Sequence, residues 1–174
     1  MNAAKRTFLI ALVLFSCVGC DQATKNIARQ ALANSEPIIF LNNVFRLQYV
    51  ENSGAFLSLG ATSSENIRFW IFTFFTGVFL AGMLVYLLVS PNISKVKMIS
   101  LSLVVGGGVG NLIDRIFNEG RVIDFMNIGI GSLRTGIFNV ADILLSIGVV
   151  WFFASSFNDS KKADPLATPL EPIR

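Results

Sequence analysis

The chain has no histidine among its 174 residues. That absence removes Ser-His-Asp and Cys-His triads and most zinc sites. Cysteine is scarce as well: there are two, Cys17 and Cys20, both in one apolar run. Two cysteines neither build a disulfide framework nor complete a structural zinc site, so no metal and no cofactor is expected. Charged residues make up 14% of the chain, against about 25% in soluble domains. The formal net charge of +3 is small and dispersed, which argues against nucleic acid as a partner. What is abundant is apolar: 53% of the residues are hydrophobic. This is the composition of an integral membrane protein.

The apolar residues fall into four stretches separated by polar ones. We place membrane spans at residues 7–28, 69–89, 98–117 and 137–157. Each is long enough to cross a bilayer as a helix. The apolar run of the first begins after Lys5 and Arg6 and ends in Cys17-Val18-Gly19-Cys20-Asp21. That end resembles the lipobox of a lipoprotein leader, with Cys20 as the residue to be lipidated. The helical pattern continues past it to Arg29, so the segment is read as a retained span. Residues 30–68 form an extramembrane segment with short strands at Ile38–Phe40 and Phe45–Val50 around an Asn42-Asn43 turn. Residues 118–136 form a second extramembrane segment, with Gly120, Gly129, Gly131 and Gly136. Residues 1–157 thus read as one membrane-embedded domain. The tail 158–174, with Lys161, Lys162 and three prolines, is expected to be disordered and cytoplasmic. With four spans both termini share a side. The clusters Lys5/Arg6, Lys95/Lys97 and Lys161/Lys162 put that side in the cytoplasm.

Polar residues recur at helical spacing near the outer ends of the spans. Asp21 and Lys25 stand i,i+4 on the first helix, and Asn111, Asp114 and Arg115 close the third. Asn139 and Asp142 stand i,i+3 at the start of the fourth. Asp142 is five residues into that span, about 7–8 Å of depth. A partly desolvated carboxyl near a second one, such as Asp124 from the adjoining loop, has a raised pKa, and the two can share a proton. Such a pair activates water against a carbonyl without His, Cys or metal. Two other readings stay open on residue chemistry. Asp142 could pair with Arg115 or Lys25 and only hold helices together, or Asp142, Asp114 and Arg115 could line a transport pathway. Gly106, Gly107, Gly108 and Gly110 strip side chains from the third helix, which suits close packing. None of the 16 phenylalanines stands out for a role.

With those residues set out, the chain resembles the lipoprotein signal peptidases, the bacterial signal peptidase II family. Five motifs carry the resemblance, in order: Asp21-Gln22-Ala23-Thr24-Lys25, Asn52-Ser53-Gly54-Ala55-Phe56, Gly106 to Arg115, Val122-Ile123-Asp124-Phe125 and Phe138-Asn139-Val140-Ala141-Asp142. They cover residues 7–157. Phe56 and Gly108 stand where the family more often has Ala. The resemblance implies a polytopic α-helical membrane protein: four transmembrane helices with a small extracytoplasmic β-cradle. It implies an aspartic endopeptidase of the bacterial inner membrane, active site toward the periplasm. Such an enzyme cuts prolipoprotein signal peptides before a diacylglyceryl-modified cysteine. Asp124 and Asp142 fall on the catalytic pair. Asn52, Asn111, Arg115 and Asn139 fall on positions that orient the pair or contact substrate. Asp21, Lys25, Gly54, Gly107, Gly110, Asp114 and Ala141 fall on supporting positions. The expected partners are lipidated prolipoproteins and membrane lipid, and the enzyme is expected to act as a monomer.

Overall fold

The computed structural model describes residues 2–54 and 60–163, the side chains of 158–163 excepted. It contains four helices long and apolar enough to cross a membrane. They are α1 (Ala3–Leu32), α2 (Glu65–Val89), α3 (Lys95–Phe117) and α4 (Val140–Ala163). Four strands, β1 (Ile38–Phe40), β2 (Phe45–Asn52), β3 (Val122–Ile130) and β4 (Leu133–Arg134), form one antiparallel sheet in that order.

The helix bounds differ from those read in the sequence for local reasons. α1 starts early because Asn2 caps it, its side-chain oxygen accepting from Lys5 N at 2.9 Å. It runs on to Leu32 because Asp21, Lys25, Ala28 and Leu32 form one buried stripe at helical spacing. α4 does not start at Ile137. Phe138 is held beside β3, its N–H donating to Met126 O at 2.8 Å and its carbonyl accepting from Met126 N at 2.9 Å. Asn139 is the N-cap, and Val140 is the first helical residue. Asp142 therefore sits in the first turn, about 3 Å along the axis from the helix start, where counting from Ile137 gives about 7–8 Å. At its other end α4 continues through Ala163, six residues into the tail expected to be disordered. No proline or glycine interrupts 158–163. Pro165 follows shortly after. The rest of the tail, like Ala55 and Phe56, lies outside the described residues.

α3 is the central post, and its glycines face three different neighbours. A methyl group on Gly106 would come 2.7 Å from Cys17 Cβ of α1, and one on Gly108 would come 2.6 Å from Leu80 of α2. One on Gly107 would come 2.5 Å from the Ala141 carbonyl of α4. The missing side chains let helix backbones approach closely, which is how helices associate in lipid. Gly107→Ala is expected to cost about 3 kcal/mol, because a backbone carbonyl cannot move aside without shifting α4. Unfolding of the purified variant in detergent measures this; an unchanged midpoint would contradict the close approach.

The sheet covers one end of the bundle. β1 and β2 join through Leu41, Asn42 and Asn43, all with positive φ (52°, 50° and 71°). Asn tolerates that region, which makes Asn42-Asn43 the turn signal it proved to be. β2 pairs β3 with a register shift between Leu47 and Val50, after which Val50 stands opposite Asp124. Ala28 and Leu32 of α1 pack with Phe125, Leu47 and Tyr49, fixing the sheet on the helices. The segment 118–136, read only as extramembrane, thus holds the strand that carries Asp124.

Candidate active site

The site is built on a buried cation. Lys25 is 1% exposed. Its ammonium lies 2.8 Å from Asp21 Oδ2 and 2.9 Å from Asp114 Oδ2, and donates to Asn111 Oδ1 at 3.0 Å. Three oxygens take the three N–H bonds of one ammonium. The two carboxylates reach further. Asp21 Oδ1 accepts from Ala141 N at 2.9 Å, filling one of the free donors in the first turn of α4. Asp114 Oδ2 accepts from Ile123 N at 3.0 Å, anchoring the residue before Asp124. Gln22 bridges both carboxylates and Gly110 O. Gly110 is needed here, since a methyl on it would fall 2.5 Å from Asp21 Oδ2. Asp21, Lys25, Gly110, Asp114 and Ala141 therefore form one joint of α1, α3, α4 and β3.

The aspartate pair stands on this joint through asparagines. Asn111 accepts from Lys25 with its Oδ1 and donates through Nδ2 to Asp142 Oδ1 at 2.8 Å. Asn139 links the two acids. Its Nδ2 donates to Asp124 Oδ1 at 2.7 Å, and its backbone N donates to Asp142 Oδ2 at 3.1 Å. In return Asn139 Oδ1 accepts from Asp142 N at 2.9 Å, a reciprocal cap of the α4 N-terminus. Asn52, from the end of β2, donates to Asp124 Oδ2 at 3.0 Å. Each oxygen of both carboxylates thus has a fixed donor. Asn139 is fully buried, Asp124 is 3% exposed and Asp142 is half-buried, so Asp142 is the member that meets solvent.

Burial raises the Asp124 carboxyl to about 6, with the neighbouring Asp142 adding to the rise and the Asn52 and Asn139 bonds opposing it. Asp142 is in the first turn of α4, where the helix dipole favours negative charge. Neither alternative ion pair forms: among the described residues Asp142 has no cation within 4 Å. Lys25 is used by Asp21 and Asp114, and Arg115 donates through Nη2 to Gly54 O at 3.1 Å. The residues named from the sequence come together, with Asn111 and Asn139 as joints rather than bystanders. Two were passed over. Gln22 ties the carboxylates to α3. Phe72 lies under Arg115, its centroid 5.7 Å from the guanidinium carbon.

Outside the pair, a polar ring fastens β2. Arg29 donates to Tyr49 Oη and Asn118 Oδ1, the Tyr49 hydroxyl donates to Glu51, and Glu51 pairs with Arg121 at 3.1 Å. The Tyr49 hydroxyl and Arg121 hold the Glu51 carboxyl below its usual range, against some opposing burial. Among the described residues no cluster of His, Cys, Asp and Glu is arranged to hold a metal.

Comparison with known proteins identifies the family of the chain. A family model described as signal peptidase (SPase) II matches residues 13–158. The lipoprotein signal peptidase of Halalkalibacterium halodurans is 33% identical over 156 residues, covering 90% of this chain and 94% of that protein. The lipoprotein signal peptidase of Sphingopyxis alaskensis is 33% identical over 167 residues, covering 94% of each. A solved bacterial membrane enzyme shares the fold, with a TM-score of 0.77 at 23% identity over 94% of each chain. Nothing in these matches supports a transporter. The chain belongs to the signal peptidase II family, and it is an aspartic peptidase of the membrane.

Proposed function

We propose that Asp124 and Asp142 are the catalytic pair, and that the enzyme cuts prolipoproteins just before a diacylglyceryl-modified cysteine. The observation that carries this is Asn139, which bonds one oxygen of each acid and caps the helix that bears Asp142. In this reading Asp142, the more exposed member, takes a proton from water as it attacks the scissile carbonyl. Asp124 holds the shared proton and donates a hydrogen bond to the carbonyl oxygen, then passes the proton to the leaving nitrogen. Arg115 and Asn52 frame the substrate side. The buried Lys25 joint keeps Asn111 and Ile123 in place, so the acids are aimed before substrate arrives.

The site lies at one end of a bundle of helices able to span a bilayer, with the sheet beside it. A lipid-anchored cysteine would enter from the membrane and present its peptide bond at that level. We place the protein in the bacterial inner membrane, with both termini cytoplasmic and the site on the periplasmic side; the Lys and Arg clusters at the span ends support this orientation. We take the working unit to be a monomer. The substrate claim is tested with purified protein and matched prolipoproteins, one diacylglyceryl-modified and one not. Cleavage of the modified form alone is expected, and equal processing of both would contradict it.

The raised Asp124 carboxyl fixes a pH dependence. Activity needs one proton on the pair. It is lost as pH climbs through the raised Asp124 value and that carboxyl gives up its proton. The alkaline limb of kcat/KM is therefore expected near pH 6. In kcat it should lie higher, because bound substrate excludes water. A kcat/KM flat from pH 5 to 8 would contradict the shared proton.

A further inference from the structure

Nothing in the sequence sets one phenylalanine apart from the others, but the structure does. Phe69–Phe75 of α2 is wound as a π-helix, a rare form that collects at functional positions. Phe69, Trp70, Phe74 and Phe75 in this turn are exposed and pack edge to face on one another. Phe72 alone among these aromatics turns inward and is half-buried. Its ring lies 5.7 Å from the Arg115 guanidinium carbon, within the ~6 Å reach of a cation–π contact. Arg115 donates to Gly54 O at 3.1 Å. Gly54 N donates to Asn52 Oδ1 at 2.9 Å, and Asn52 Nδ2 donates to Asp124 Oδ2 at 3.0 Å. The same ring also abuts Gly60, where a methyl group would come 2.9 Å from Phe72 Cζ.

We propose that Phe72 is a positioning residue of the peptidase: its aromatic face orients the Arg115 guanidinium and, through Gly54 and Asn52, sets the Asp124 carboxylate. Arg115 pairs with no acid within 4 Å, and its Nε has no hydrogen-bond partner among the described residues. Gly54 O and the ring face are therefore its directional contacts. A leucine at 72 would fill much of the space but offers no negative face to the cation.

The chain of contacts ends on a titrating group, which makes it measurable. Asp124 is faced by Asp142 from α4, Lys25 from α1, Arg115 from α3 and the amides of Asn52 and Asn139. Of these, only Arg115 and the Asn52 bond lie on the path from Phe72. The Asn52 bond lowers the Asp124 pKa. Loosening it raises the pKa.

The catalytic consequence rests on the peptidase reading above, so the test has two readouts. Graded fluorination of the Phe72 ring keeps its shape and removes its negative face. Asp124 is titrated by carboxyl NMR in labelled protein without substrate, assigned with Asp124→Asn, while kcat and KM are measured on a lipidated prolipoprotein. The Asp124 midpoint is expected to rise with each added fluorine. In parallel kcat should fall, by about tenfold at full fluorination, with KM little changed. Phe72→Trp should retain both properties, and Phe75→Leu, an exposed neighbour in the same turn, should leave both unaltered. A midpoint and a kcat that ignore fluorination would overturn the proposal, as would a Phe72→Leu variant that loses only thermal stability. A wild type that cleaves nothing would contradict the peptidase reading alone, and the titration would still decide the role of Phe72.

Discussion

Asp124→Asn and Asp142→Asn each lose cleavage of a lipidated prolipoprotein by about 10²–10⁴-fold while the protein stays folded. The geometry separates these effects. Asp142 receives Asn111 Nδ2 on one oxygen and Asn139 N on the other. Asp124 receives Asn139 Nδ2 and Asn52 Nδ2 in the same way. An amide offers one oxygen, so one donor in each variant faces an NH₂ instead. That mismatch costs about 1–3 kcal/mol, against a missing acid or base that ends the chemistry. The two losses should not add, because the acids act together, and the double variant should be no slower than the worse single one. If the acids were only braces, the variants would lose melting temperature and keep turnover. Kinetics and unfolding on one preparation distinguish these outcomes.

Lys25→Met is the largest expected loss of stability, about 3–5 kcal/mol. Methionine has nearly the length of lysine, so the variant leaves little void. It leaves Asp21 and Asp114 buried, at 0% and 5% exposed, without the ammonium that lay 2.8 and 2.9 Å away. Both acids also hold backbone N–H groups, Ala141 at the α4 start and Ile123 before Asp124. Damage should therefore reach the site, with kcat falling along with stability. Lys25→Arg should not restore it, because a planar fork cannot reproduce three bonds converging on one nitrogen. Chemical unfolding in detergent micelles measures the effect. A midpoint within experimental error of wild type would show the three-oxygen cage to be dispensable.

The helices were largely legible because a bilayer demands long apolar runs, and the polar residues within them gather near one end. Their ends were less so. Ile137 and Phe138 look like the start of a span, yet Phe138 is spent on bonds to Met126, and Asn139 with Asp142 three residues on makes the cap. An Asn-x-x-Asp reading would have found that boundary. The strands Ile38–Phe40 and Phe45–Val50 were visible by their β-branched and aromatic residues. β3 was hidden, since Asp124 and Gly129 interrupt its apolar pattern and most of its first half is buried on both faces. Which acid would meet which base was not legible either. Asp21 and Lys25 are neighbours on one helix, but the second partner, Asp114, comes from another helix and was equally placed to bind Arg115. Phe72 could not be seen, because its role depends on a π-turn that rotates it away from four similar neighbours.

The most direct test is mass spectrometry of the products formed when the purified protein meets a diacylglyceryl-modified prolipoprotein, beside Asp142→Asn prepared in the same way. The expected result is a mature chain beginning at the lipidated cysteine, with the intact signal peptide as the other product, from wild type alone. The same products from Asp142→Asn at the wild-type rate, or a wild-type cut at any other bond, would contradict it.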